Sequence, residues 1–125
     1  MDRCNRWVLL EHVGDPDDVL GRHFDLLIED SGSCRTWRLN TVPVVDGPPL
    51  DVVQLHPHKL HWLETTSKKR VSGGRGWAKP IKGGLFKGKL PVDNNCPFQL
   101  ELQGPEFICL LKMTNNSCAF RSFSD

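Results

Sequence analysis

The sequence predicts a mainly β domain, a barrel or sandwich of short strands joined by long loops. Two observations predict it. Nowhere does an apolar pattern of period 3.6 run far enough to build a core helix. Short apolar runs instead recur between clusters of Gly, Pro, Asn and Asp, the residues that turn a chain. At 125 residues the chain has room for a single core, hence one domain spanning residues 1–125.

Trp7-Val8-Leu9-Leu10-Glu11 is apolar enough for a central strand, with His12 just past its end. Val13 to Arg22 holds Gly14, Pro16, Gly21 and three aspartates, a surface loop with room for one helical turn at Asp17–Leu20. A second strand carries His23-Phe24-Asp25 into Leu26-Leu27-Ile28-Glu29 and stops at Asp30-Ser31-Gly32-Ser33, a turn that pairs it with Arg35–Leu39. Thr41 to Leu50, with three prolines, is a loop. Val52 to Glu64 holds His56, His58 and His61 in a mixed setting, and glycine-punctuated stretches follow. Strands at Phe98–Leu102, Phe107–Met113 and Cys118–Phe123, turning at Gly104-Pro105 and Asn115-Asn116, complete the domain. Trp7 and Trp37 are expected in the core.

The net charge of +1 gives no overall field to recruit a polyanion, so any basic surface must be local. No apolar stretch reaches the roughly 18 residues of a membrane span, and Met1-Asp2-Arg3-Cys4-Asn5 does not open a signal peptide, so the expectation is a cytoplasmic protein with no membrane contact. The five cysteines, Cys4, Cys34, Cys96, Cys109 and Cys118, form no C-x-x-C pair and read as small core residues rather than a zinc ribbon or a disulfide framework.

The chemistry concentrates in two places. On a strand, residues two apart share a face, so His23 and Asp25 project side by side, and an acid on an apolar strand needs a partner. With a further histidine the set becomes two imidazoles and one carboxylate, suited to manganese, iron or zinc, with coordination positions left for water and substrate. The second place is a charge asymmetry. No acid occurs between Thr65 and Val92, whereas Lys68, Lys69, Arg70, Arg75, Lys79, Lys82, Lys87 and Lys89, eight of the sixteen lysines and arginines, fall there. Glycines and the aromatics Trp77 and Phe86 interleave them, a pattern suited to phosphate contact and base stacking. A metal site beside a basic, glycine-rich surface points to metal-assisted chemistry at a phosphate.

These residues resemble the 3′-phosphoesterase domain of bacterial DNA ligase D, the multi-domain enzyme of non-homologous end joining, and its stand-alone relatives. That family carries a histidine, a gap, then His-aromatic-Asp and a glutamate four residues on; here stand His12, His23-Phe24-Asp25 and Glu29. Trp37 follows Glu29 by eight residues, as a tryptophan does in the family. The family's His-x-Leu-x-Tyr, acidic residue and glycine-rich segment are matched by His58-Lys59-Leu60-His61-Trp62, Glu64 and Val71-Ser72-Gly73-Gly74-Arg75-Gly76. The resemblance covers about residues 7–90.

It implies a compact β-barrel in which His12, His23 and Asp25 hold manganese, or zinc or another divalent transition metal. His58 and Trp62 would be the catalytic positions at the scissile phosphate. Arg75, Lys68, Lys69, Arg70, Lys79 and Lys82 would grip nucleic acid. The implied activity is removal of a terminal ribonucleoside and then the 3′-phosphate from DNA 3′ ends, with a ligase or end-joining partner downstream. Three departures stand out. Leu27 replaces a phosphate-contacting arginine, Trp62 replaces a tyrosine, and the gap from His12 to His23 is longer than the family's. Arg75 and Arg22 are candidates to supply the missing guanidinium, while Glu29 and Glu64 are expected either to orient ligand histidines or to form surface ion pairs.

Two other readings compete. A non-haem iron oxygenase would take His23 and Asp25 with His56, His58 or His61 as its third ligand. A nucleic-acid-binding or protein-interaction barrel without turnover would use the basic segment and exposed tryptophans.

Overall fold

Among the described residues ten strands, every pair of them antiparallel, form one sheet. They are β1 (Arg6–Val13), β2 (Arg22–Asp30), β3 (Ser33–Leu39), β4 (Leu50–Asp51), β5 (Val53–His58), β6 (Lys69–Arg70), β7 (Trp77–Lys87), β8 (Phe98–Gly104), β9 (Phe107–Met113) and β10 (Ser117–Arg121). A short 3-10 helix at Leu60–Glu64 is the one helical element among the described residues. The structure is a computed structural model, and it describes residues 5–123. Cys4 and the start of the chain therefore lie outside the described residues.

The strand order is β4-β10-β9-β8-β7-β1-β2-β3-β5, with β6 added to β7. The two ends of this path, β4 and β5, are separated in sequence by Val52 alone, and no ladder joins them.

Alternation along β1, β2 and β3 divides their side chains between two faces. One face, with Trp7, Leu9, Phe24, Leu26, Ile28, Trp37 and Leu39, packs against Leu100, Leu102, Leu111, Met113 and Phe120 as the main core. Trp7 and Trp37 are both buried there, as expected. On the other face Val8, Leu10, Leu27 and Cys34 form a second cluster, roofed by Leu60, Trp62 and Leu63 of the 3-10 helix. Because both faces are covered, six consecutive residues of β2, from His23 to Ile28, are buried.

The structure departs from the expectation at several points, among them a strand at Val53–His58 and one that begins at Leu50, the last residue of an expected loop. β1 runs on through His12 to Val13. The chain after Pro16 makes turns rather than a helical turn. Cys96 is exposed, whereas Cys34, Cys109 and Cys118 are buried. The largest departure is β7, an eleven-residue strand in the middle of the sheet where the sequence predicts only glycine-punctuated stretches and no strand. Gly84 is there because the chains approach closely: a Cβ would lie 1.8 Å from the Gln103 carbonyl oxygen. Pro80 sits at a register shift opposite Leu10, where the ladder is irregular.

Candidate metal centre

Antiparallel pairing puts His12 directly opposite His23, and Asp25 directly opposite Leu10. Cross-strand partners share a face, so His12, His23 and Asp25 emerge together beside the second apolar cluster. All three are buried. One ligand atom from each lies within 4.8 Å of the others, and this is the one such cluster among the described residues. Asp25 Oδ2 stands 3.4 Å from His23 Nε2 and 4.0 Å from His12 Nδ1. Ligands at bond lengths near 2.1 Å lie about 3.0–3.5 Å apart, so the cluster has the scale of a coordination sphere.

The imidazoles are held from behind. His12 Nε2 lies 2.5 Å from the Arg75 carbonyl oxygen, which only accepts, so Nε2–H donates and Nδ1 keeps its lone pair toward Asp25. His23 Nδ1 donates to Asp18 Oδ2 at 2.9 Å, which leaves Nε2 as the nitrogen facing Asp25. Asp18 is itself fixed, since its Oδ1 accepts the Leu20 N–H at 3.1 Å and its backbone closes a loop with Asp15 and Gly21. Gly14 and Gly21, both at positive φ, stand at the two ends of that loop. The long gap between His12 and His23 therefore delivers the carboxylate that orients His23. Carboxylate–histidine and carbonyl–histidine contacts of this kind fix tautomer and ring direction at metal centres.

Two buried atoms here, His23 Nε2 and Asp25 Oδ1, have no hydrogen-bond partner. A buried polar atom left without a partner costs about 1–3 kcal/mol. Burial pushes the His23 pKa down, but the carboxylates of Asp25, 3.4 Å from Nε2, and of Asp18, hydrogen-bonded to Nδ1, outweigh it, and the net shift is upward. The same hydrogen bond from His23 holds the Asp18 carboxyl below the usual carboxylate range. Two nitrogens and a carboxylate oxygen, converging and partly unsatisfied, fit a divalent transition cation better than they fit a core without one.

The other expected site residues are dispersed. His58 ends β5 opposite Cys34, four residues along β3 from the position facing Asp25, about 13 Å at 3.3 Å per residue. Its Nδ1 donates to the His56 carbonyl. Trp62 packs on the Val8, Leu10, Leu27 and Cys34 cluster. Among the described residues neither His58 nor Trp62 hydrogen-bonds or ion-pairs with the three buried residues. Leu27, where the resemblance leads one to expect an arginine, is fully buried under the same helix. Neither His56 nor His61 joins the cluster.

The basic segment divides by face. Lys69 pairs with Ala78, which pairs with His12, so Lys69 shares the face of the candidate centre. Arg70 and Trp77 belong to the opposite face, where Lys68 and Arg70 lie 5.2 Å and 4.9 Å from the Trp77 ring centroid. Lys79 pairs with Glu11 on that face, and Lys82 lies over Phe107. Arg22 ion-pairs with Glu11 and lies over Phe24, and Arg75 Nε donates to the Ser72 carbonyl. Arg75 thus serves the centre through its backbone carbonyl. Glu29 and Glu64 form ion pairs with Arg6 rather than orienting a histidine.

Sequence reasoning missed Asp18 and Arg38. Arg38 stands directly opposite Asp25 on β3, with its Nε 3.8 Å from Asp25 Oδ1. The demand of a ligand imidazole for an outer partner calls for an acceptor nearby but does not single out Asp18 among the three aspartates of the preceding loop. Among the described residues, no helix is long and apolar enough to cross a membrane. Comparison with models of known protein families and with curated proteins finds no match to either.

Proposed function

We propose that this chain is a metal-dependent phosphoesterase that heals DNA 3′ ends, a diverged stand-alone relative of the ligase D 3′-phosphoesterase domain. The observation that carries the reading is the buried cluster of His12, His23 and Asp25, with a tautomer-fixing partner behind each histidine and unsatisfied atoms at its centre. The fold is read as a β-barrel closed through the chain itself, since Val52 alone separates the strands at the two ends of the ladder.

In this reading His12 Nδ1, His23 Nε2 and the Asp25 carboxylate would hold manganese or a similar divalent ion. Such an ion supplies Lewis acidity toward a phosphoryl oxygen and lowers the pKa of water. Asp18 and the Arg75 carbonyl accept from the outer nitrogens, which turns His23 Nε2 and His12 Nδ1 toward Asp25. His58, whose Nδ1 is committed to His56, has Nε2 left for a substrate, and its place about 13 Å along the sheet assigns it to a part of the substrate away from the centre. Lys69, on the same face, is the basic-segment residue best placed for the strand backbone.

A second reading, nucleic-acid binding without turnover, is favoured by one observation. Trp77 is 37% exposed between Lys68 and Arg70, an aromatic–cation surface on the face away from the cluster.

The test is manganese-dependent phosphate release from a primer–template with a recessed 3′-phosphate. Turnover that is lost with chelator and in folded His12→Ala, His23→Ala and Asp25→Ala supports the phosphoesterase. Folded, metal-loaded wild type that binds DNA but releases no phosphate supports the second reading.

A further inference from the structure

The reading above leaves the centre without a guanidinium, because Leu27 is buried under the 3-10 helix and both Arg22 and Arg75 are engaged elsewhere. We propose that Arg38 is the residue that binds the substrate phosphate beside the metal ligands. This inference rests on the phosphoesterase reading for its substrate, and on the structure for its residue.

Four observations converge on Arg38. It is the direct cross-strand partner of Asp25, so the two side chains leave the sheet on the same face. Asp25 divides its carboxylate, with Oδ2 toward the histidines and Oδ1 toward Arg38 Nε at 3.8 Å. Arg38 Nε is buried and has no hydrogen-bond partner, and Asp25 Oδ1 has none either, so the pair is poised rather than locked. The Arg38 side chain is nevertheless 38% exposed, which brings the end of the guanidinium to solvent at the edge of a buried cluster.

Charge then decides what binds. With a divalent cation in place, Asp25 and Asp18 face the cation and Arg38 together, an excess of positive charge in a low-dielectric setting. The residues beside Asp25 and Arg38 in the same row, Leu10 and Val53, are apolar and cannot neutralise it. An anion can, and a planar guanidinium is shaped for two phosphate oxygens at once. The structure thus replaces an arginine two residues along the ligand strand with one from the neighbouring strand, aimed at the same carboxylate.

The alternative is that Arg38 merely steadies Asp25. The two roles predict opposite effects on metal binding. The experiment compares wild type, Arg38→Gln and Arg38→Lys, each confirmed folded by circular dichroism. Calorimetry measures manganese affinity, and inorganic phosphate is then titrated into the manganese-loaded proteins. Broadening of the phosphorus resonance by manganese reports phosphate at the metal. Arg38→Gln is expected to bind manganese as tightly as wild type or more tightly, since a repelling charge is gone. Its phosphate affinity is expected to fall at least tenfold, the weight of a charged hydrogen bond, with Arg38→Lys between the two.

Unchanged phosphate affinity in Arg38→Gln overturns the proposal. So does a loss of manganese affinity that accounts for the phosphate loss. In DNA 3′-phosphate turnover, KM is expected to rise at least tenfold in Arg38→Gln. Turnover with KM unchanged in that variant overturns the role of Arg38 and leaves the phosphoesterase reading standing. Wild type without turnover, whose phosphate binding still depends on Arg38, overturns the phosphoesterase reading and supports the phosphate site.

Discussion

Gly76→Ala is expected to weaken metal binding without touching any ligand. Gly76 sits at φ +82, and a Cβ there would lie 2.0 Å from the Val13 carbonyl oxygen and 2.6 Å from the Gly14 carbonyl carbon. Both obstacles are backbone, so they cannot swing aside. The turn holding Gly76 must back away from the end of β1, and it takes the neighbouring Arg75 carbonyl off His12 Nε2. The left-handed conformation costs about 1–2 kcal/mol in a residue with a side chain. The lost hydrogen bond adds about 1 kcal/mol, and relief of the clash adds more. Together these lower Tm by roughly 10 °C in a domain of this size. Loss of the group that orients His12 should cost about 10–100-fold in manganese affinity.

Gly74→Ala is the control, because Gly74 also has positive φ (+68) but open space around its Cβ position. It should lose only the conformational term and bind manganese as wild type does. Thermal melts and calorimetric manganese titrations read both effects. If Gly76→Ala matches Gly74→Ala in manganese affinity, the Arg75 carbonyl does not orient His12 and the account of the centre is wrong.

Asp18→Ala should lower manganese affinity by a similar 10–100-fold, measured by calorimetry. The same variant tests the pH dependence of the metal-free protein. His23 is raised above 6.5, so its contribution to stability is complete below 6.5 and is lost as pH rises through the raised value. Asp18 is depressed below 3.8, so its contribution is present above 3.8 and is lost as pH falls through the lowered value. Melts of chelated wild type should therefore weaken as pH rises above 6.5, and Asp18→Ala should flatten that decline. Leu27→Arg should unfold the domain or lower Tm by more than about 10 °C in a thermal melt, since a charge would be buried without a partner beneath the 3-10 helix. Burial pushes the Cys34 and Cys109 thiols up to about 11 and the Cys118 thiol to about 12. Maleimide at pH 8, read by peptide mass spectrometry, should therefore modify Cys96 in the native protein and spare those three.

The strands legible in the sequence were those whose apolar residues also obey the ordinary turn rules. Phe107–Met113 emerged at its observed bounds, and the hairpin joining β2 to β3 emerged at its observed turn. Strand β7 was hidden because Pro80, Gly83 and Gly84 look like loop residues. They are there because a bulge releases one backbone donor and two chains approach too closely for a Cβ. The clustering of His23 with Asp25 was legible because the two-residue period of a strand puts them on one face from local sequence alone. Asp18 was not, because a loop aspartate looks the same in sequence whether it faces solvent or a histidine. Arg38 was hidden by register, since nothing local to Trp37-Arg38-Leu39 says that Asp25 is its cross-strand neighbour.

The central claim is that His12, His23 and Asp25 hold one divalent transition metal. Calorimetric titration of manganese into wild type and His23→Ala, with both proteins shown folded by circular dichroism, tests it most directly. The account predicts one bound ion per wild-type chain, with binding abolished or weakened by orders of magnitude in the variant. Equal binding by the two folded proteins, or none by wild type, would contradict it.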